Sequence, residues 1–520
     1  MTLRDRRQSR DLCRAANAAV QQRDMRFELV RRHRGGKSPA RAQDQILQRR
    51  FQAQHDRAFV EHGVARRAQR VAELVPHHSD RNFVCCAMRH HHSPSTTPAG
   101  MGVISRVSDA DEKHRQWHGA GIDAVVARPY DHIVLASIDT LRSDCIAANP
   151  LKLWPGKYPG LTAPRTDILD ELVAQGCFFA NCVSAAPYTS ASHATILTGN
   201  WPLRHGVYEF FNRKLRGESL FTQARRAGYA TIMKSDFPFI LGPTLGFDNG
   251  IDTFIVEDDD AYLTAIGAAD QSVSLVHFGG VHVPYGFHTL RYGGDAYRRK
   301  LDALEADVGR PTDLPRDQLL ETPRSAEDAR MLLRYKRVIQ ELWKADRAAD
   351  IFGLYLEGIE HFLTTRFEGF IRRLLKRLEG TNWLLVLFGD HGEEYDSESY
   401  GHFNSVAEGV LRVPLLFLGP DVKPGIHRER LCTADILPTI LDLQRAPSRG
   451  RLATDGISRA ATVTDGAGYV SYPAFAQAYV ADTARFVRFQ QQALTGGTKK
   501  GALPHLLFKE TMWDGEHKIT

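Results

Sequence analysis

Apolar residues change their spacing near residue 130, and the change divides the chain. From Tyr130 onward, short apolar runs alternate with stretches of helical period, the pattern of a parallel sheet covered on both faces. His132 to Ile138 (HIVLASI) predicts a buried strand that ends at Asp139. Pro164 to Ala174 predicts a helix stopped by Gly176. Ser190 to Leu197 and Glu218 to Ala227 predict two more helices, and Ser272 to Phe278 a strand. Leu301 to about Arg377 reads as mostly helical and highly charged, with apolar residues at helical spacing from Tyr355 to Leu378. Trp383 to Phe388 (WLLVLF) predicts a buried strand running into Gly389-Asp390-His391-Gly392, and Val413 to Leu418 predicts another. The residues able to do chemistry thus fall just beyond strand C-termini, where open α/β sheets place their ligands.

Residues 1–125 keep neither period. They are rich in Arg, Gln and His, with runs such as Arg31-Arg32-His33-Arg34 and His90-His91-His92. The net charge of +6 hides this asymmetry: residues 1–118 hold 23 Lys and Arg against 12 Asp and Glu, leaving 44 against 49 for the remainder. Acidic residues interrupt the basic runs and no nucleic-acid-binding motif accompanies them, so no specific nucleic-acid partner is read. The segment predicts a disordered basic leader, or the product of an upstream start codon with initiation near Met101. Residues 126–520 would then form the folded unit.

The seven cysteines are odd in number and show no C-x-x-C spacing, which predicts reduced thiols and a cytoplasmic protein. No apolar run approaches the roughly 18 residues of a membrane span, and no apolar h-region follows the basic start.

Three motifs carry candidate chemistry. Asp139-Thr140-Leu141-Arg142-Ser143-Asp144 directly follows a strand, and a carboxylate there can ligate a cation at the sheet edge. Standing alone it reads more simply as a turn or helix N-cap carboxylate. Thr189 opens the predicted helix of Ser190 to Leu197, where free N–H groups and the positive end of the helix dipole stabilise an alkoxide. A cap is again the simpler reading of a lone Thr. Asp390 and His391 lie between glycines after a buried strand, with Gly401-His402 about ten residues on, a common metal-ligand pairing.

In this order the pieces resemble the sulfatase branch of the alkaline phosphatase superfamily. The resemblance runs from about Tyr130 to Thr520. It takes in Ile138-Asp139-Thr140-Leu141-Arg142, Ser192-His193-Ala194-Thr195-Ile196-Leu197-Thr198-Gly199, Trp201-Pro202-Leu203-Arg204-His205-Gly206-Val207 and Gly246 to Phe254. It continues through His282-Val283-Pro284-Tyr285, Asp390-His391-Gly392-Glu393, Arg412-Val413-Pro414-Leu415 and Asp435-Ile436-Leu437-Pro438-Thr439. It implies an α/β fold, an alkaline-phosphatase-like three-layer sandwich whose mostly parallel central sheet is flanked by helices. A helical insertion is expected at about 287–349, and Lys509 to Thr520 as the start of a short C-terminal strand pair. By resemblance, Asp139, Asp390, His391 and the Thr189 oxygen would bind one divalent metal ion, Thr189 would be the nucleophile, and His282 and His402 would hold the substrate's non-bridging oxygens. Lys234 lies roughly where sulfatases carry an anion-binding lysine; the alternative is a surface charge.

The chain also departs from the family pattern. Sulfatases mature a Cys or Ser to formylglycine within C/S-x-P-x-R, whereas here Thr189, Ala191 and His193 hold the nucleophile, proline and arginine places. A Thr cannot become formylglycine, which favours a phosphodiester, phosphomonoester or phosphonate over a sulfate ester. Thr140 replaces a second Asp, leaving a donor set that suits zinc or manganese better than calcium or magnesium. Gly280 stands where two-metal relatives carry an Asp, so a second metal has only a thin site in His282 and His402. The expectation is an ester hydrolase acting on a small-molecule, saccharide or lipid-headgroup ester. The alternatives are a catalytically degenerate anion- or partner-binding relative, and a phosphotransferase.

Overall fold

The computed structural model describes residues 130–208, 214–283, 285, 295–309, 326–396, 399–402, 405–444, 452–471, 473–479, 507–514 and 517–520; the leader read at residues 1–125 lies outside them. In chain order the strands of the main sheet are β1 (His132–Ile138), β2 (Cys177–Val183), β3 (Ala230–Ser235), β4 (Thr253–Val256), β5 (Ser272–Phe278) and β6 (Trp383–Gly389). A two-stranded hairpin of β7 (Glu394–Tyr395) and β8 (Tyr400–Gly401) follows, and then β9 (Arg412–Leu418), β10 (Gly425–His427) and β11 (Leu431–Cys432) return to the main sheet. The strand order is β10-β2-β9-β6-β1-β5-β3-β4, with β11 also pairing with β2. All pairings are parallel except those of β9, which runs antiparallel to β2 and β6.

Every residue of β1 is buried, because this central strand is covered on both faces. Val134, Ala136 and Ile138 enter one core and Ile133 and Leu135 the other. The first core takes α1 (Asp167–Gln175); the second takes α2 (Thr189–Thr198) and α3 (Leu220–Arg226). Next in the chain, α4 (Asp259–Gly267), α5 (Asp295–Val308), α6 (Ala326–Lys344), α7 (Ala348–Phe362) and α8 (Glu368–Leu378) lie on the α1 side, and α9 (Ile436–Leu443) on the other. The result is a three-layer α/β sandwich with a mostly parallel sheet, as the alternation of elements predicts. A π-helical turn, Leu363–Phe367, joins α7 to α8. At the C-terminal end, β12 (Ala474–Tyr479) joins β13 (Leu507–Asp514) and β14 (His517–Ile519) in a three-stranded antiparallel sheet, one strand more than the expected pair.

The four described cysteines, Cys145, Cys177, Cys182 and Cys432, are buried and free. No helix among the described residues is long and apolar enough to cross a membrane.

Two polar anchors fix the loops at the sheet's carboxyl edge. Arg142, 1% exposed, donates from Nε and Nη2 to Asp144 at 2.9 and 2.8 Å and from Nη1 to Glu393 O at 3.0 Å, with Glu394 at 3.5 Å. It ties the loop after β1 to the loop after β6. The second anchor is His205, whose Nδ1 accepts from the Val207 N–H at 3.1 Å while its Nε2 lies 3.0 Å from Thr195 Oγ1 on α2. Burial pushes this imidazole down to about 3.

Truncating Arg142 to Ala leaves buried carboxylates without their cation and is expected to cost about 3–5 kcal/mol in urea unfolding of the full chain. For His205 the folded pKa lies below the unfolded one, so its contribution is complete above about pH 6.5 and is lost as the pH falls toward 3. A His205→Gln chain is expected to be less stable at pH 7 yet to lose less of its remaining stability between pH 6.5 and 4, read from urea midpoints at each pH.

Candidate active site

Register brings the first ligands together. β1 pairs on one side with β6, placing Ile138 level with Gly389, and on the other with β5, placing Ile138 level with Phe278. The next residues, Asp139 and Asp390, therefore emerge side by side from adjacent strands, and His277 on β5 sits beside them. Helix α2 brings in the hydroxyl. Thr189 is its first residue, so the following N–H groups have no intrahelical acceptor.

Thr189 Oγ1 lies 3.3 Å from His391 Nε2 and 3.4 Å from Asp139 Oδ2. His391 Nε2 is 3.6 Å from both Asp139 Oδ1 and Asp390 Oδ2. Its Nδ1 faces the Gly392 carbonyl at 3.2 Å, which places the proton on Nδ1 and a lone pair on Nε2, toward the cluster. All four residues are 0% exposed. The structure thus brings together Asp139, Thr189, Asp390 and His391, the four groups read from the sequence.

The cluster fits a divalent ion by two observations. Two ligand atoms at about 2.1 Å from a common tetrahedral ion stand roughly 3.4 Å apart, close to the spacings above. Asp390 Oδ2, fully buried, receives no hydrogen bond, while Oδ1 accepts from the Thr140 and His391 N–H groups at 3.1 and 2.9 Å. A buried carboxylate oxygen left in this way is costly unless a cation takes it. Burial opposes the charge on Asp390, yet His391, His193, His277 and the Thr140 N–H hold its carboxyl below the usual range.

Around this cluster stand further residues, His277 and Ser184 from outside the sequence motifs and His193, Ser192 and Thr140 from within them. His277 Nε2 lies 3.1 Å from Asp139 Oδ2, and His193 Nδ1 lies 2.8 Å from Thr189 O and 3.6 Å from Asp390 Oδ2. Burial pushes both imidazoles down to about 4 against the opposing pull of Asp390, and both rings stand where they orient the carboxylates. Ser184 and Ser192 both donate to the Asp390 carbonyl, at 2.6 and 2.7 Å, joining the strand after which Asp390 falls to the nucleophile's helix. Thr140 adopts φ +60°, costing on the order of 1 kcal/mol. The turn aims its N–H at Asp390, its hydroxyl donates back to Asp139 O at 2.7 Å, and its carbonyl accepts from Tyr355 Oη at 2.7 Å. Its side chain is turned away from any ligand role.

His402 and His282 flank the cluster, their rings 5.3 Å apart and His402 4.3 Å from His391. His402 Nδ1 is held at 3.0 Å by Glu393, a buried carboxyl raised by burial and then by the charge of Asp139. His282 Nδ1 donates to Val283 O at 2.7 Å, leaving Nε2 as its acceptor atom. Lys234 takes another place. It is fully buried, neither a surface charge nor open to an anion, with Nζ 2.5 Å from Asp236 and 2.9 Å from Asp259.

Gly280 has a steric reason. A Cβ there would come within 2.2 Å of the Phe362 ring, which is wedged against Phe278 and Phe367.

The family described as "Sulfatase" matches residues 132–265 and 275–445, more than half of the chain. The chain belongs to the sulfatase family. Choline-sulfatase of Rhizobium meliloti (strain 1021) is 36% identical over 76 residues, 14% of this chain and 15% of that protein. Arylsulfatase K of Danio rerio is 35% identical over 91 residues, 16% of this chain and 17% of its own length, so the chain spans less than a fifth of these curated relatives. Among solved structures, that of the phosphonate monoester hydrolase of Agrobacterium radiobacter is similar at a TM-score of 0.49 and 16% identity, covering 75% of this chain and 86% of that one. Within this sulfatase-family chain the matched residues contain the whole cluster from Asp139 to His402.

Introducing a carboxylate by Gly280→Asp is expected to destabilise the chain by about 1–3 kcal/mol in urea unfolding, through overpacking against Phe362. Combining it with Phe362→Ala is expected to cost less than the sum of the two single changes.

Proposed function

We propose that this sulfatase-family chain is a metal-dependent ester hydrolase that attacks a phosphorus ester of a small molecule, saccharide or lipid headgroup through Thr189. The observation that carries the reading is the placement of Thr189 Oγ1 at the first position of α2, between His391 Nε2 and Asp139 Oδ2. Asp139, Asp390, His391 and Thr189 would hold one divalent ion, with zinc or manganese suiting the mixed carboxylate and imidazole donors. The ion supplies positive charge that offsets the two carboxylates and makes a hydroxyl acidic enough to react near neutral pH.

The chain's own residues account for the rest. Thr189 Oγ donates its hydrogen bond to Asp139 Oδ2, which orients an oxygen lone pair away from the carboxylate. Attack forms the bond from Thr189 Oγ to phosphorus and breaks the bond to the leaving alcohol; the Thr189 proton passes toward Asp139 and the leaving oxygen takes one from water. Water then attacks the same phosphorus, freeing Thr189 and releasing the phosphoryl product. His282 and His402 stand where they can face the non-bridging oxygens. A Thr at this place cannot be matured to formylglycine, which supports phosphodiesters and phosphonate monoesters over sulfate esters.

Three versions of the full chain would be compared: the parent, Thr189→Ala and Asp390→Asn. Each would be assayed on aryl phosphodiester, phosphomonoester, phosphonate monoester and sulfate substrates with zinc or manganese, and titrated with each metal by calorimetry. The parent is expected to bind one ion and turn over a phosphorus ester, with Thr189→Ala slower by about a thousandfold or more yet still folded. Asp390→Asn is expected to bind the ion at least tenfold more weakly. A folded parent that binds neither ion and hydrolyses no ester would overturn the reading; preference for the sulfate ester would overturn its phosphorus assignment.

A further inference from the structure

The backbone that carries His277 and His282 is held from outside the cluster by a group of buried charges. Just beyond β3, Asp236 Oδ2 accepts the Gly279 N–H at 2.9 Å, and Lys234 Nζ donates to the His277 carbonyl at 3.2 Å. Gly279 O in turn accepts the His282 N–H at 3.2 Å. The course of the chain between the two imidazoles is therefore set at His277 and at Gly279. It matters to the cluster because His277 Nε2 meets Asp139 Oδ2 at 3.1 Å.

The carboxylate that holds Gly279 is itself held by Arg366, a residue far along the chain. Nη1 of Arg366 donates at 2.7 Å to Asp236 Oδ2, the oxygen that also takes the Gly279 N–H, and Nη2 donates to Oδ1 at 3.2 Å. The rest of the guanidinium reaches Asp259 at the start of α4, from Nε at 2.7 Å and from Nη2 at 2.8 Å. One planar fork thus spans two carboxylates, which the single nitrogen of an ammonium does less well. Arg366 arrives on the π-helical turn Leu363–Phe367, a kind of turn frequent near functional sites. The same stretch sets the Phe362 and Phe367 rings 5.7 Å from that of Phe278, and the Arg366 guanidinium lies 5.2 Å from the Phe278 ring. The junction of α7 and α8 therefore grips Phe278 through its rings and Gly279 through Asp236.

We infer that Arg366 is a positioning residue for this site: through Asp236 and the Gly279 N–H it sets the path of residues 277–282, and with it the ring that orients Asp139. Without the guanidinium, two carboxylates remain beside one ammonium, and Asp236 turns toward Lys234, 2.5 Å away, at the expense of Gly279. The inference rests on the proposed hydrolase reading and deepens it, since it names a residue outside the cage on which the grip on the ion depends.

The test compares the full chain with Arg366→Met, Arg366→Lys and Arg459→Met, the last removing a different buried arginine, paired with Asp435 ahead of α9. Amide exchange of residues 277–282 is followed by mass spectrometry, zinc affinity by calorimetry and stability by urea unfolding. Arg366→Met is expected to exchange over 277–282 at least about tenfold faster and to bind zinc about tenfold more weakly. Arg366→Lys, which keeps the charge without the fork, is expected to show both effects at about threefold. Arg459→Met is expected to lose stability yet keep the parent's exchange over 277–282 and its zinc affinity. Parent-like exchange and zinc affinity in the folded Arg366 variants, or equal changes in Arg459→Met, would overturn the assignment while the parent still bound zinc. If Arg366→Met does not fold, Arg366→Lys decides by the same two measurements. A parent that binds no zinc would overturn the metal reading and the assignment with it.

Discussion

Two carboxylates of like charge, fully buried at the ends of adjacent strands, are the constraint around which this structure is arranged. Oxygens of Asp139 and Asp390 lie within 4.8 Å of each other and of the His391 nitrogen. At that spacing their repulsion is on the order of 3 kcal/mol even with an effective dielectric constant near 20, before any desolvation is counted. Backbone N–H groups of Thr140 and His391 and the ring of His277 supply the hydrogen bonds, and a strained Thr140 is tolerated to aim one of them. Two buried like charges held in this way are costly, and the surrounding hydrogen bonds are what fix their orientation.

Charge balance elsewhere follows the same logic in reverse. Lys234 and Arg366 pair with Asp236 and Asp259, and Arg142 pairs with Asp144 and Glu394 on the other flank. Arg142 fixes the relation between the loops that carry Asp139 and Asp390, and the charges of the first group act on the neighbouring His277 ring.

Much of this was legible in the sequence because it is local. Strand β6 is an unbroken apolar run and β1 and β5 are mostly apolar, and Asp139, Asp390 and His391 follow two of these strands directly. Thr189 opens a helix whose first residue can be read from the chain. The parts that escape the sequence depend on neighbours far apart along it. His277 orients Asp139 only because β5 pairs with β1, and His193 meets Asp390 only because α2 lies against the end of β6. Lys234 reads as an anion binder by position, but beyond the nearby Asp236 its partners, Asp259 and the His277 carbonyl, arrive from α4 and β5. Strand β2 is broken by Asn181, and β3 and β4 are short, so none of the three stands out as an apolar run.

The aromatic wall at Gly280 bears on how this site can change over time. A second carboxylate beside His282 and His402 lies one substitution away in the chain, but the space for it is occupied by a ring wedged among its neighbours. Shrinking that ring first opens a cavity with nothing yet to fill it; adding the acid first drives it into the ring. Each order passes through a less stable intermediate, so the route from this site to a two-metal one crosses a valley that single steps climb poorly, and the architecture tends to keep the chemistry it has.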